Sequence, residues 1–209
     1  MIAILDYGSG NIRSAQRACE RAGLDVVVTS DLEIARESDG LVVPGVGAFT
    51  SCVRQLCAIG GDDLIRERVA AGRAVLGICV GMQILFEGSA ETSNGESATG
   101  LGLIAGEVAR LSAPILPQIG WNTVTVEANS QLFAGVEDER FYFVHSFAAL
   151  PDRSRGAVET TSDYGGEFLA AIEVGPISAV QFHPEKSGAA GISLLRNWGA
   201  TLRADSRAR

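Results

Sequence analysis

The sequence predicts a single α/β domain with a mostly parallel central sheet flanked by helices. Three observations lead there. Residues 2–5, 24–28, 40–43 and 74–78 are short, largely apolar runs that do not alternate, the pattern of strands covered on both faces. Helix-compatible stretches separate them, as in chains that build a parallel sheet by crossover. The 209 residues contain no internal repeat and no linker, so residues 1–203 are read as one domain, with 204–209 a frayed tail.

The elements follow in order. The run 2–5 ends in the turn Asp6-Tyr7-Gly8-Ser9-Gly10, and a helix is expected over 11–22 with Gly23 as its stop. Strands over 24–28 and 40–43 come next, the second ended by Pro44-Gly45. Residues 50–71 read as helix broken near Gly60-Gly61. A strand over 74–78 runs into a helix over 80–86, and 88–102, rich in Gly, Ser, Thr and Glu, reads as a long surface loop. The second half is strand-rich, over 107–111, 123–127, 141–147, 168–173 and 177–182, and a closing helix is expected over about 189–202.

Composition narrows the function. A net charge of −8 opposes binding to a phosphate backbone, so nucleic acid is not an expected partner. No apolar run reaches the length of a membrane span, and the N-terminus has neither the basic nor the apolar region of a signal peptide. Cys19, Cys52, Cys57 and Cys79 form no C-x-x-C pair, which fits reduced thiols in a cytoplasmic protein.

The strongest local signal is Gly77-Ile78-Cys79-Val80-Gly81, placed where an apolar strand meets a helix. Glycines two residues to either side permit a sharp turn that presents the thiol, and the following helix N-terminus favours the thiolate. The commonplace alternative is a buried cysteine closing a strand. A cysteine nucleophile needs a base, and the chain has only two histidines. His183 stands in Gln181-Phe182-His183-Pro184-Glu185; residues two apart in extended chain share a side, so Glu185 can orient His183 as the third member of a triad. His145, in a strand apolar on both sides, is the competing base and reads better as a core histidine. Cys79, His183 and Glu185 have no zinc-ligand spacing, so no metal is expected. The turn Pro44-Gly45-Val46-Gly47 follows a neighbouring strand and can supply an N–H to a developing oxyanion, with Val80 supplying another. Gly8-Ser9-Gly10-Asn11 lacks the third glycine of a dinucleotide fingerprint, since Arg13 occupies it, and no Gly-Lys-Ser/Thr occurs. No cofactor is expected.

Together these motifs resemble the class I glutamine amidotransferases, whose glutaminase domains use a Cys-His-Glu triad on a flavodoxin-like α/β architecture. Within that family the chain resembles the glutaminase subunits of imidazole glycerol phosphate synthases, through 6–11, the 44–47 turn, 77–83, Gly120-Trp121-Asn122, 142–146 and His183-Pro184-Glu185-Lys186-Ser187. Val80, Ile119, Phe147 and Pro176 depart mildly from the usual residues. The resemblance implies L-glutamine as substrate, Cys79 as nucleophile, His183 as base then acid, and Glu185 as its orienting group. It implies oxyanion N–H groups at Val46 and Val80, and a glutamine site at Gly47, Gln83, Glu91, Ser146 and Phe147. A (βα)8-barrel cyclase subunit would dock at Asn11, Trp121, Asn122 and Lys186 and receive the ammonia. Two other readings share parts of the pattern: the glutaminase of pyridoxal phosphate synthase, against which the Gly-Trp-Asn segment argues, and an idle interaction subunit, against which the intact triad argues.

Overall fold

In a computed structural model, residues 1–93 and 95–208 are described, the backbone alone from 203 onward. The chain alternates strands and helices as far as its middle: β1 (Ile2–Leu5), α1 (Ile12–Arg21), β2 (Val26–Thr29), α2 (Leu32–Glu37), β3 (Gly40–Gly45), α3 (Phe49–Ala58), α4 (Gly61–Ala70), β4 (Ala74–Cys79) and α5 (Val80–Gln83). Eight strands then follow among the described residues: β5 (Gly88–Ser89), β6 (Glu107–Arg110), β7 (Gln118–Thr123), β8 (Arg140–His145), β9 (Phe147–Ala149), β10 (Val158–Asp163), β11 (Glu167–Val174) and β12 (Ile177–Val180), the last leading through a 3-10 turn at Pro184–Lys186 into α6 (Gly188–Ala208).

The main sheet has seven strands in the order β10-β11-β12-β4-β3-β1-β2. The five from β12 to β2 are mutually parallel, and β11 runs antiparallel to both its neighbours. The chain steps from β1 outward to β2, then back past β1 to β3 and β4. Right-handed crossovers therefore place α1 on one face and α2, α3 and α4 on the other. Contacts agree: α1 packs on α6, while α2 and α3 both pack on α4. β1 and β3 are consequently buried along their whole length, as expected of strands covered twice. In such sheets, ligands bind beyond the carboxyl ends of the strands near the reversal of strand order. The carboxyl ends of β3, β4 and β12 meet there.

Several expected elements are placed differently. The strand expected over 123–127 lies earlier, as β7, which ends at Thr123; beyond it Thr125 forms an isolated bridge to Thr161. Gly120-Trp121-Asn122 is thus within a strand, with Trp121 opposite Tyr142 in β8. The run 141–147 is two strands in two sheets, because the chain bends at Ser146 from the β7–β8 pair into the β5-β6-β9 sheet. The helix expected over 80–86 is regular only to Gln83. α2 and β10 are additional elements, and α6 continues to Ala208. Side chains of the tail expected over 204–209 lie outside the described residues, as does Arg209 altogether.

Candidate active site

Cys79 ends β4 and caps α5 with φ 56° and ψ −116°, the only positive φ at a non-glycine position among the described residues. The surroundings enforce this conformation. A Cβ on Gly81 would sit 1.9 Å from the Val43 carbonyl oxygen, and one on Gly77 would sit 2.7 Å from the Gly81 carbonyl oxygen. Only glycines let the chain turn so close to β3, and the turn lifts the cysteine out of the sheet as a nucleophile elbow.

On the other side of β4, the strand β12 runs in parallel register, Val180 beside Ile78. The chain leaves β12 extended. Phe182 enters an aromatic cluster, 4.3 Å from the Phe141 ring centroid and 5.5 Å from that of Phe143. Alternation then turns Gln181 and His183 to the side where Cys79 lies. His183 Nδ1 is 2.8 Å from Glu185 Oε1, and each side chain is only 4% exposed. The second Glu185 oxygen is buried without a hydrogen-bond partner among the described residues, so the carboxylate's charge leans on the imidazole. Burial lowers the His183 pKa. A hydrogen bond with Cys79, another with Glu185 and the charges of both outweigh it and raise the value to about 9. An imidazolium beside sulfur is the environment that favours a thiolate.

A cleft of about 360 Å³ opens over this pair. It is lined by Cys79 and His183, by Val46 and Val80, and by Gly47, Gln83, Glu91, Ser146 and Phe147. Bending at Ser146 brings that residue and Phe147 into the cleft. Glu91 reaches it from the 88–102 segment, and one of its oxygens accepts the Phe49 amide at 2.8 Å where α3 begins. His145 also lines the cleft but is committed elsewhere. Its Nδ1 is 2.9 Å from the Phe147 carbonyl oxygen, and its Nε2 is 3.0 Å from the Gln118 carboxamide. Burial foremost drives its pKa down to about 4. Both ring nitrogens are thus engaged by neighbours; the Phe147 carbonyl can only accept, which puts the proton of the neutral ring on Nδ1 and requires the Gln118 amide to turn its NH₂ to Nε2.

The oxyanion donors differ from expectation at Val46. Its N–H donates to Ser9 Oγ at 3.3 Å, and its carbonyl accepts from Ser9 Oγ at 3.0 Å and from Cys52 Sγ at 3.3 Å. The donor is therefore held by Ser9. Val80, the first residue of α5, carries a first-turn N–H of the kind that has no intrahelical partner.

Around the cleft mouth, Asn11 and Lys186 are exposed and Trp121 is 52% exposed, beside Ile119 at 63% on the same face of β7. Asn122 is engaged internally: its amide donates to Ser162 Oγ at 3.1 Å and the Asp163 carbonyl at 2.9 Å. Trp121 packs edge-on against Tyr142 with centroids 5.9 Å apart. The Tyr142 carbonyl accepts the His183 amide at 2.9 Å, and the Tyr142 amide donates to Ser187 Oγ at 3.0 Å. A tryptophan at the surface is thus one residue and one backbone hydrogen bond from the triad.

Two tests arise here. His183→Ala is expected to lower kcat by about 10⁴, and Glu185→Gln by at least about tenfold less, because the base remains but is misoriented. If His145→Ala instead abolishes thiol acylation while His183→Ala does not, the base is the other histidine. The second test is titration. His183 should hold its proton to about 9, and His145 should stay neutral down to about 4. The sign follows from the ordinary value of 6.5. The stability contributed by His183 is complete below that value and is lost as pH rises through about 9. His145 acts oppositely: as pH falls from 6.5 toward about 4, the unfolded chain takes up a proton that the folded chain refuses, and stability declines. Imidazole NMR separates the two signals, and joint titration between 6 and 7, about the free value, would contradict both assignments.

A cysteine elbow, a buried His–Glu pair and a cleft at the carboxyl ends of a parallel sheet are the parts that acyl transfer through a thiol requires. The chain belongs to the class-I glutamine amidotransferase family, whose pattern matches residues 3–201. Among curated proteins, it is 57% identical over 199 residues to imidazole glycerol phosphate synthase subunit HisH of Mycolicibacterium paratuberculosis, covering 94% of this chain and 96% of the relative. It is 56% identical over 208 residues to the protein of the same name from Nocardia farcinica, covering 96% and 98%. A crystal structure described as glutamine amidotransferase superposes with a TM-score of 0.72 at 21% identity, covering 95% of this chain and 98% of that one, which shows the shared fold.

Proposed function

We propose that this chain hydrolyses L-glutamine to glutamate and ammonia through a thioester on Cys79, and delivers the ammonia to a (βα)8-barrel cyclase subunit that makes imidazole glycerol phosphate and AICAR in histidine biosynthesis. The observation that carries the chemistry is Cys79, at its positive φ, lining one cleft with a His183 that Glu185 orients at 2.8 Å. High identity to two proteins named as imidazole glycerol phosphate synthase subunits supports the pathway.

The Cys79 thiolate attacks the side-chain amide carbon of glutamine. The C–N bond breaks as His183 gives its proton to the leaving nitrogen, so ammonia departs and a thioester remains. Water then attacks the thioester, His183 takes its proton, and glutamate leaves with the thiolate restored. Glu91, with one oxygen fixed by Phe49, offers a carboxylate suited to the substrate's α-ammonium. Ammonia in neutral water is mostly ammonium, which is no nucleophile, so delivery through a dry path to the second subunit keeps it reactive.

Docking is proposed at the exposed face carrying Trp121, Lys186 and Asn11, with Trp121 as the aromatic anchor. A reducing cytoplasmic setting is proposed, in keeping with four cysteines that are all free thiols; no helix among the described residues is long and apolar enough to cross a membrane. The test is co-expression with the cyclase, size-exclusion chromatography for a one-to-one heterodimer, and a glutaminase assay with the cyclase ligand present and absent. Failure to co-elute, or glutamine turnover indifferent to the cyclase, would overturn the pairing.

A further inference from the structure

Gln181 belongs to none of the roles above, yet it is fully buried beside the nucleophile. Its Nε2 lies 3.8 Å from Cys79 Sγ, within reach of an N–H···S hydrogen bond, and its Oε1 accepts from Gln83 Nε2 at 2.9 Å. The same Gln83 Nε2 donates to the Phe147 carbonyl at 2.9 Å.

The direction of this chain of hydrogen bonds is fixed chemically. A peptide carbonyl accepts only, so Gln83 must turn its NH₂ to Phe147. The second hydrogen of that NH₂ points at Gln181, which must answer with its oxygen. The Gln181 NH₂ is then left for the sulfur. Reversing either carboxamide would set oxygen against oxygen or NH₂ against NH₂ in a buried site, at the full cost of unsatisfied polar groups. Position supports the same reading, because Gln181 is two residues before His183 on the same side of the chain, while Phe182 between them is anchored among aromatic rings.

We propose that Gln181 acts on the nucleophile directly: its carboxamide N–H, aimed by the Phe147–Gln83 relay, hydrogen-bonds the Cys79 sulfur and stabilises it as a thiolate opposite His183. The inference rests on Cys79 being the nucleophile. Hydrogen bonds to an anion favour the charged form, and loss of one is worth about tenfold in the equilibrium. The relay also means that Gln83, which lines the cleft, senses whatever occupies it and is joined to the sulfur through one side chain.

The experiment is the pH dependence of Cys79 alkylation by iodoacetamide in the whole chain, read by peptide mass spectrometry. Gln181→Met keeps the volume and removes the donor. Gln181→Glu keeps the shape and puts a carboxylate against the sulfur. Gln83→Met removes the aim. The expected result is an upward move of the alkylation midpoint by about one pH unit for Gln181→Met, more for Gln181→Glu and less for Gln83→Met, with the Cys79 rate at neutral pH down by about tenfold in the first. A side chain that only fills space would change melting behaviour and leave the midpoint where it was. Should Gln181→Met not fold, the Gln181→Glu and Gln83→Met midpoints decide. Wild-type midpoints in the folded variants overturn the proposal while leaving the nucleophile intact. Alkylation in the wild type that does not favour Cys79 over Cys19, Cys52 and Cys57 would instead overturn the nucleophile assignment itself.

Discussion

Cys79→Ala is expected to lower kcat for glutamine hydrolysis by about 10⁴ or more, measured as glutamate formed by the complex with its cyclase. In the proposed mechanism both half-reactions pass through the sulfur. Without it there is no nucleophile for the amide carbon and nothing to hold the acyl group as ammonia leaves, so only binding and the oxyanion donors remain. The elbow would survive, because alanine retains the Cβ that the turn already accommodates. Cys19→Ala, Cys52→Ala and Cys57→Ala should keep most of the activity: Cys19 and Cys52 are buried, Cys57 is exposed, and none of the three lines the cleft. A loss at any of them comparable to that at Cys79 would remove the basis for the assignment.

The second large effect concerns control. The isolated chain is expected to hydrolyse glutamine slowly, and the cyclase with its ligand bound should raise kcat by at least about 10²–10³, the worth of one oxyanion donor, much more than it lowers KM. In the structure the Val46 N–H is held by Ser9 Oγ, and its carbonyl by Ser9 and Cys52. The flanking Gly45 and Gly47 allow the peptide beside Val46 to rotate at low steric cost, Gly47 already sitting at φ 89°. Rotation would bring an N–H to the tetrahedral oxyanion. Trp121→Ala should weaken the activation with the triad unchanged, since Trp121 touches Tyr142, whose carbonyl holds the His183 amide. The measurement is kcat of the chain alone against kcat in the liganded complex. Full activity in the isolated chain would show that the turn is already set.

What could be read in the sequence was what depends on local pattern. β1, β3 and β4 are apolar throughout, so burial on two faces announces itself, and Gly77 and Gly81 around Cys79 mark the elbow because a Cβ on Gly81 would strike β3 and one on Gly77 would strike the first turn of α5. Glu185 follows His183 at the spacing that lets the two meet. The parts that escaped carry weak or misleading local signals, or depend on partners far along the chain. β10 contains Glu159, Thr160 and Ser162, all buried, and such polar residues look like loop until Arg155 is seen paired to Glu159. α2 is short, and its signal was present in Asp31, whose carboxylate caps the Glu33 and Ile34 amides. β7 hid because Ile119 and Trp121 face outward, so its apolar side chains do not mark a core. The hold of Ser9 on Val46 and of Gln181 on Cys79 spans 37 and 102 residues, and nothing in the local pattern around any of the four announces it.

The positive φ at Cys79 also bears on how such a chain ages under mutation. A backbone conformation that glycine adopts freely is imposed here on a residue with a side chain, so the native state carries a conformational cost that exists only for the sake of the thiol. Glycine at position 79 would relieve that cost and abolish the chemistry in one step. Stability and activity therefore pull in opposite directions at this residue, and a screen for thermal tolerance alone would select against the enzyme. A lineage that kept the fold for docking but no longer needed ammonia from glutamine would be expected to lose Cys79 early, while Gly77 and Gly81, required by the neighbouring backbone, persisted as the scar of the lost site.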